Sequence, residues 1–551
     1  MRRRAKWCWV LLATAMVASG CNSKQPIRRA DAGVGAAQQV EHSKDPVETP
    51  AWVFVANAQS DTGGVLVVVH TDTLPIPVNV MHRWRIQVLR GSDNPTPFMP
   101  EALVVNGGMP SHGHGLPTQP AVSRYLGNGM FLVNGMRFNM GGEWQMIVRV
   151  LEGDRWHRAV FTITLQSAGN HAHHSSAWNA SEIGLLRSLS LAAAGTRPRD
   201  RTNRVQDDAR AVELGRALFF DEKLSATGEV SCATCHQESL AFTDGRRTGK
   251  GLAVLDRNTP SVVGAAWQRW FYWDGRRDSL WAQALVPLES AREMGSSRLA
   301  VVRAIRDDAE YKRAYEALFG KLPSLEGVSV LQAGPIGPEA HRVAWRNVPI
   351  RTKRSINVAF ANVGKAIAAF ESTLEFGQTR FDRYADAPEA GGLLSDSEIA
   401  GLRLFIDPKN QCIKCHNGPM FTNGGFHNIG TGSSDPASLD VGRIAGVQAA
   451  ILDEFNCRGR YSDDRERCSE LEHLAPEAHL AGAFKVPSIR GAAKTPPYMH
   501  DGRFSNLREV LEFYRTPPVR SNVMPHELVP LPHLTDSDLD RLEAFLRVLG
   551  E

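Results

Sequence analysis

The chain has 551 residues, 42% of them hydrophobic and 22% charged, with a formal net charge of +4. These proportions belong to a globular protein of about three domains. So small a charge, with no long basic run, excludes nucleic acid as a partner.

Arg2, Arg3, Arg4 and Lys6 precede an apolar stretch, Trp7 to Val17, that is too short to span a bilayer. This is the layout of an export signal. Ala18-Ser19-Gly20-Cys21 resembles a bacterial lipobox, with Ala18 where Leu is preferred. Residues 1–21 are therefore expected to be a lipoprotein signal peptide with Cys21 as the lipidated residue; ordinary cleavage after a small residue is the alternative. Asn22 in place of Asp directs the expectation to the outer membrane. The expected location is the periplasm, with the lipid as the only membrane contact. Residues 22–50 are polar and aperiodic, and read as a flexible tether.

Residues 51–168 read as a β-sandwich. The runs Gly64–Val69, Trp84–Leu89 and Val160–Leu165 are rich in apolar and β-branched residues and are bounded by turn formers. The last two alternate with period two. Between them, Met109-Pro-Ser-His112-Gly-His114-Gly-Leu-Pro117 places two His and a Met in a Gly/Pro loop that could ligate copper. A solvated structural turn is the alternative. This segment resembles the YtkA-like family of small periplasmic β domains. His171, His173 and His174 are read as linker.

From Ser181 the pattern turns helical, beginning with Ile183, Leu186, Leu189 and Leu191. A repeat follows: Gly215 to Asp221 precedes Cys232-Ala-Thr-Cys235-His236, and Gly401 to Asp407 precedes Cys412-Ile-Lys-Cys415-His416. CxxCH is the attachment spacing of c-type haem: two thiols bond the vinyl groups, and the adjacent His ligates the iron. Zinc held by two CxxC pairs would need no His directly after each. Ser395 with Glu398 forms a capping box ahead of the second motif. Thr535 and Asp538 cap a last helix bearing Leu539, Leu542, Leu546 and Leu549. The expected fold is an N-terminal all-β sandwich followed by two mainly α-helical cytochrome c-like domains, 181–390 and 391–551. Cys457 and Cys468 are expected to form a disulfide closing a surface loop.

Residues 181–551 resemble the bacterial di-haem cytochrome c peroxidase and MauG family. The resemblance rests on Arg257-Asn-Thr-Pro260, Trp273-Asp-Gly-Arg276, Glu293-Met294 and Pro497-Tyr-Met-His500-Asp-Gly502, together with the two haem motifs. It implies that Trp273 relays electrons between the haems. It also implies that Gln283, Pro287 and Glu293 form a peroxide pocket on the first haem, where Glu293 shuttles a proton between the peroxide oxygens. Asn258, Thr495 and Pro497 match a calcium site of the family, a set of oxygens that suits a hard cation.

Two departures bear on the chemistry. Peroxidases of the family place a distal His between the first motif and the Trp, and no His lies between His236 and Trp273; Lys250 holds the ungapped position. The first haem is therefore expected to be five-coordinate and open. Peroxidases also place a Met ligand fourteen residues after the His of His-Asp-Gly. Here that position is Tyr514, as in MauG. A phenolate favours oxidised iron, whereas Met raises the potential. Leu507, Val510, Leu511 and Tyr514 also make an apolar helix face, so plain core packing stays open for Tyr514.

The resemblance implies an enzyme that uses hydrogen peroxide at an open haem to reach a high-valent state, which oxidises a protein residue or a redox partner. The alternatives are a cytochrome c peroxidase fed by a small cytochrome or cupredoxin, a two-haem electron carrier, or a copper-binding module.

Overall fold

The computed structural model describes residues 52–78, 80–91, 94–110, 114–139, 141–165, 178–432, 440–466, 468–519 and 526–551. The signal, tether and linker segments lie outside them. Among the described residues no helix is long and apolar enough to cross a membrane.

The N-terminal strands are β1 (Val53–Gln59), β2 (Val65–Thr71), β3 (His82–Arg90), β4 (Thr96–Pro97) and β5 (Ala102–Met109). They continue with β6 (His114–Gly115), β7 (Ala121–Gly127), β8 (Met130–Met136), β9 (Gly142–Glu152) and β10 (Arg155–Leu165). One sheet runs β1-β2-β3-β8-β7, with β4 on β3; the other runs β10-β9-β5-β6. Alternation decides which face is buried. Val65, Val67 and Val69 of β2, Trp84, Ile86 and Val88 of β3, and Trp144, Met146, Val148 and Val150 of β9 meet in one core.

The duplicated sequence becomes a duplicated helix crossing. Helix Ala209–Phe220 packs on the long helix Ile350–Glu371, and Asp396–Ile406 packs on Asp536–Val548. The repeated glycine explains the closeness of both. A Cβ on Gly215 would collide with the carbonyl of Ala366, and one on Gly401 with that of Arg541. The capping boxes of Ser395 with Glu398 and Thr535 with Asp538 are both present.

The second helical core also takes Leu186 and Leu189 of helix Ala180–Leu189 and Phe381 and Tyr384 of helix Arg380–Asp386, elements that precede residue 391 in the chain. A fully buried pair fixes them there. The guanidinium of Arg490 binds both oxygens of Asp382 at 2.7 and 3.0 Å and donates to the Leu189 carbonyl at 3.0 Å. Removing one partner of such a pair costs about 3–5 kcal/mol.

Cys457 and Cys468 are disulfide-bonded, with Cα atoms 5.6 Å apart. They lie in an excursion that also contains helix Arg443–Leu452. Buried Arg443 donates to the carbonyls of Gly275 at 2.6 Å and Asp274 at 3.2 Å, bracing the Trp-Asp-Gly-Arg segment from outside.

Candidate active site

Both Cys-x-x-Cys segments form a single helical turn that ends at the His, whose amide donates back to the first Cys carbonyl at 2.9 Å for His236 and 3.0 Å for His416. Each His is then oriented in the same way. His236 Nδ1 lies 3.0 Å from the Phe242 carbonyl, and His416 Nδ1 lies 3.1 Å from the Phe421 carbonyl. Phe242 and Phe421 both have left-handed backbones, φ 59° and 48°. A non-glycine residue is held there only by its surroundings, and the turn aims its carbonyl at the imidazole. A carbonyl only accepts, so Nδ1 carries the proton and Nε2 keeps its lone pair for iron. Burial lowers both imidazoles, His416 to about 4, which keeps them neutral as ligands must be. None of the four cysteines is in a disulfide. This donor set fits two c-type haems.

Around the first of these, helix Leu280–Glu289 carries Gln283 and Pro287. Glu293 sits in the turn beyond the helix, with its amide donating to the Ser290 carbonyl at 3.0 Å and its carbonyl accepting from Leu252 at 3.0 Å. Gly251 lies against the Glu293 backbone, where no side chain would fit. Burial raises the Glu293 carboxyl above the usual carboxylate range, opposed by its hydrogen bond with Ser290 and by Arg276 and Arg292. Glu293, like Asp244, is within electrostatic reach of Cys235. Lys250 is exposed, and only its backbone carbonyl, 3.5 Å from Cys235 Sγ, approaches the site.

Beside Gln283 stands a residue that the sequence did not single out. Tyr272 has a left-handed backbone, φ 67°. Its hydroxyl lies 3.4 Å from Gln283 Nε2 and 3.4 Å from the Gln283 carbonyl. The Arg276 guanidinium lies over its ring at 3.4 Å, and Asp274 holds Arg276 at 3.1 Å. Burial raises the phenol, with Glu293 adding to the shift. Its place directly before Trp273 was the one available signal.

Trp273 is held at both ends. Its indole N–H donates to the Asn258 carbonyl at 2.9 Å, and its own carbonyl accepts from the Lys485 amide at 2.7 Å. Asn258 also donates its amide to His500 at 2.8 Å and its side-chain NH2 to Arg246 at 3.0 Å. Thr495 bonds only locally, its hydroxyl 3.2 Å from the Ala492 carbonyl, and Pro497 follows it in the next turn.

At the second site, Tyr514 lies on helix Leu507–Arg515. Leu507 and Leu511 enter the core, whereas Tyr514 is half-buried and within electrostatic reach of Cys412 and Cys415. Burial raises its phenol, with Cys415 and Cys412 adding to the shift. Its hydroxyl has no hydrogen-bond partner among the described residues. On the sandwich, Met109 is only 2% exposed and fills the core, which removes it as a surface copper ligand. Residues 111–113 lie outside the described residues.

Residues 209–390 match the family described as di-haem cytochrome c peroxidase. MauG of Methylorubrum extorquens is 32% identical over 340 residues, covering 61% of this chain and 77% of that protein. MauG of Paracoccus denitrificans is 31% identical over 414 residues, covering 66% and 92%. The solved di-haem peroxidase BthA of Burkholderia thailandensis is 23% identical, covers 62% of this chain and 86% of its own, and has a TM-score of 0.48. The chain is thus a c-type di-haem oxidoreductase of the peroxidase class. It belongs to the di-haem cytochrome c peroxidase and MauG family. That membership brings two c-type haems, with hydrogen peroxide and a redox partner or protein substrate as reactants.

Proposed function

We propose that the chain is a MauG-type enzyme, which uses hydrogen peroxide to oxidise a Trp or Tyr side chain of a partner protein. The observation that carries this is Tyr514, whose hydroxyl has no hydrogen-bond partner among the described residues and is within electrostatic reach of Cys412 and Cys415, at the position where peroxidases of the family place Met. Burial alone opposes a phenolate there, and an iron ion is the kind of local charge that reverses such a penalty. The exposed Lys250 supports an open first site.

Bound haem supplies the redox chemistry that cleaves the peroxide O–O bond. Glu293, kept on the protonatable side of its range by burial, takes a proton from one peroxide oxygen and returns it to the other. Gln283 and the Tyr272 hydroxyl orient the peroxide by hydrogen bonds. Pro287, with no N–H, offers a dry wall. Trp273, fixed at both ends, carries electrons between the two halves.

Calcium belongs to the same proposal, held by Asn258, Thr495 and Pro497. The Asn258 NH2 is already engaged with a carbonyl, which directs its side-chain oxygen elsewhere. Export to the periplasm is supported by the Cys457–Cys468 disulfide, a bond that persists in oxidising compartments.

The test is electron paramagnetic resonance of the ferric holoenzyme. The expected spectrum has one open high-spin iron and one six-coordinate iron whose signal changes in Tyr514→Phe. A His/Met signature at the second iron, or no change in that variant, overturns the MauG-type assignment.

A further inference from the structure

The β-sandwich is seated on the second haem site. Cys415, one of the two attachment thiols, packs against the sandwich core. Just beyond β8, Asn139 enters the same neighbourhood. Its carbonyl accepts from Asn423 Nδ2 at 3.0 Å, and Asn423 donates its own amide to the Cys415 carbonyl at 2.8 Å. Asn139 Nδ2 lies 3.5 Å from His427 Nε2, and the other ring nitrogen of His427 lies 2.7 Å from Glu527. Asn139, Asn423 and His427 are each no more than 4% exposed.

A second set of contacts fastens the sandwich beside this one. Arg137, 3% exposed, pairs with Glu470, which also accepts from the indole of Trp270 at 2.8 Å. The Gln119 amide donates to the His473 carbonyl at 2.6 Å. Gly135, φ 85°, lies so close to the His473 ring that a Cβ there would come within 2.5 Å of it. A module swinging on a tether would present a solvated face. The bonds of buried Arg137, Asn139, Asn423 and His427 would lose their partners if the sandwich lifted away, at about 1–3 kcal/mol per stranded group.

We propose that the N-terminal sandwich is a fixed cover over the Cys415 edge of the second haem, closing that edge to soluble redox proteins and small reductants. Electrons from a donor then enter by another face, and Asn139 acts as a positioning residue for His427 and for the attachment segment through Asn423. The proposal needs only two c-type haems and holds whether or not Tyr514 is a ligand.

Two measurements on the full-length holoenzyme test it. In the wild type, hydrogen exchange at the Gln119 amide is expected to be as slow as in the sandwich strands, because the cover opens only with global unfolding. Exchange as fast as in surface loops overturns the proposal. In Arg137→Glu, which sets a carboxylate against Glu470, stopped-flow reduction of the ferric protein by ascorbate is read at both haems. Reduction of the second haem is expected to rise on the order of tenfold while the first is unchanged. Gly135→Val, which wedges the same interface, is expected to do the same. An unchanged second-haem rate, with the sandwich shown by limited proteolysis to be displaced, overturns the proposal.

Discussion

The indole N–H of Trp273 donates to the backbone carbonyl of Asn258 across 2.9 Å, and the amide of Asn258 donates in turn to the His500 carbonyl, so Trp273 is tied to segments of both helical halves. Trp273→Phe keeps an aromatic ring but removes the indole's second ring and one hydrogen bond, the bond alone being worth about 1 kcal/mol. Both haems are expected to stay attached. Transfer of oxidising equivalents between them after peroxide addition is expected to slow on the order of tenfold or more. Rapid-mixing absorbance at both haems checks this, and an unchanged rate removes Trp273 from the route.

Glu293 makes a prediction with a sign. Its carboxyl is raised by burial, so it holds its proton to a higher pH than a free carboxylate. To accept the peroxide proton it must be ionised. The rate of the peroxide reaction is therefore expected to fall as pH drops through that raised value. Glu293→Gln should slow the reaction on the order of a hundredfold and remove the acid limb. A variant that keeps the limb shows that another group titrates.

Tyr272 touches Gln283 through its hydroxyl and Arg276 through its ring, and the two roles separate in Tyr272→Phe. Phe keeps the ring under the guanidinium and the left-handed turn. If the hydroxyl orients peroxide, the reaction slows about tenfold with thermal stability nearly unchanged. A lower melting temperature at wild-type reactivity would instead make Tyr272 a packing residue.

Local features of the fold were legible because their causes are local. Alternation located β3 and β10, a continuous apolar, β-branched run located β2, and Ser395 with Glu398 located a helix start. The haem cysteines and histidines were legible because attachment demands that spacing. Pairing across distance was not. Amphipathicity shows that Leu186 and Leu189 need an apolar partner, but not that Phe381 and Leu542 supply it. Asn139 and His427 are 288 positions apart, and nothing in either neighbourhood announces the other. Nothing in the sequence around Tyr272 marks a polar role, and the turn at φ 67° sets its hydroxyl against Gln283.

Glu371 ends the long helix Ile350–Glu371 at 3% exposure, and its Oε2 has no hydrogen-bond partner among the described residues. Burial raises its carboxyl to about 8 from the usual 4.5. The folded state thus holds a proton that the unfolded state releases. Its contribution to stability is full below pH 4.5 and is lost as pH rises through about 8, by a few kcal/mol over that window. Glu371→Gln cannot ionise and is expected to flatten that decline. Denaturant midpoints of the holoenzyme at both ends of the window check it, and parallel declines in the two proteins refute it.

Tyr514 separates the two kinds of chemistry open to this family. Its hydroxyl is within electrostatic reach of the second haem's cysteines and has no hydrogen-bond partner among the described residues, whereas Leu507 and Leu511 of the same helix are buried in the core. Packing therefore explains the leucines and leaves the phenol unexplained. A phenolate ligand stabilises oxidised iron; a thioether favours the reduced form and raises the potential. Tyr514→Met is expected to raise the second haem's potential, leave the first unchanged, and shift activity from side-chain oxidation towards peroxide removal with a small electron donor. Tyr514→Phe keeps the apolar ring and removes the oxygen, so it is expected to change the potential and the ferric spectrum without lowering the stability of the helix core. Spectroelectrochemical titration of the three proteins reads both haems at once. If Phe leaves the second potential where it was, the oxygen was not on the iron, and that haem draws its sixth ligand from elsewhere in the chain.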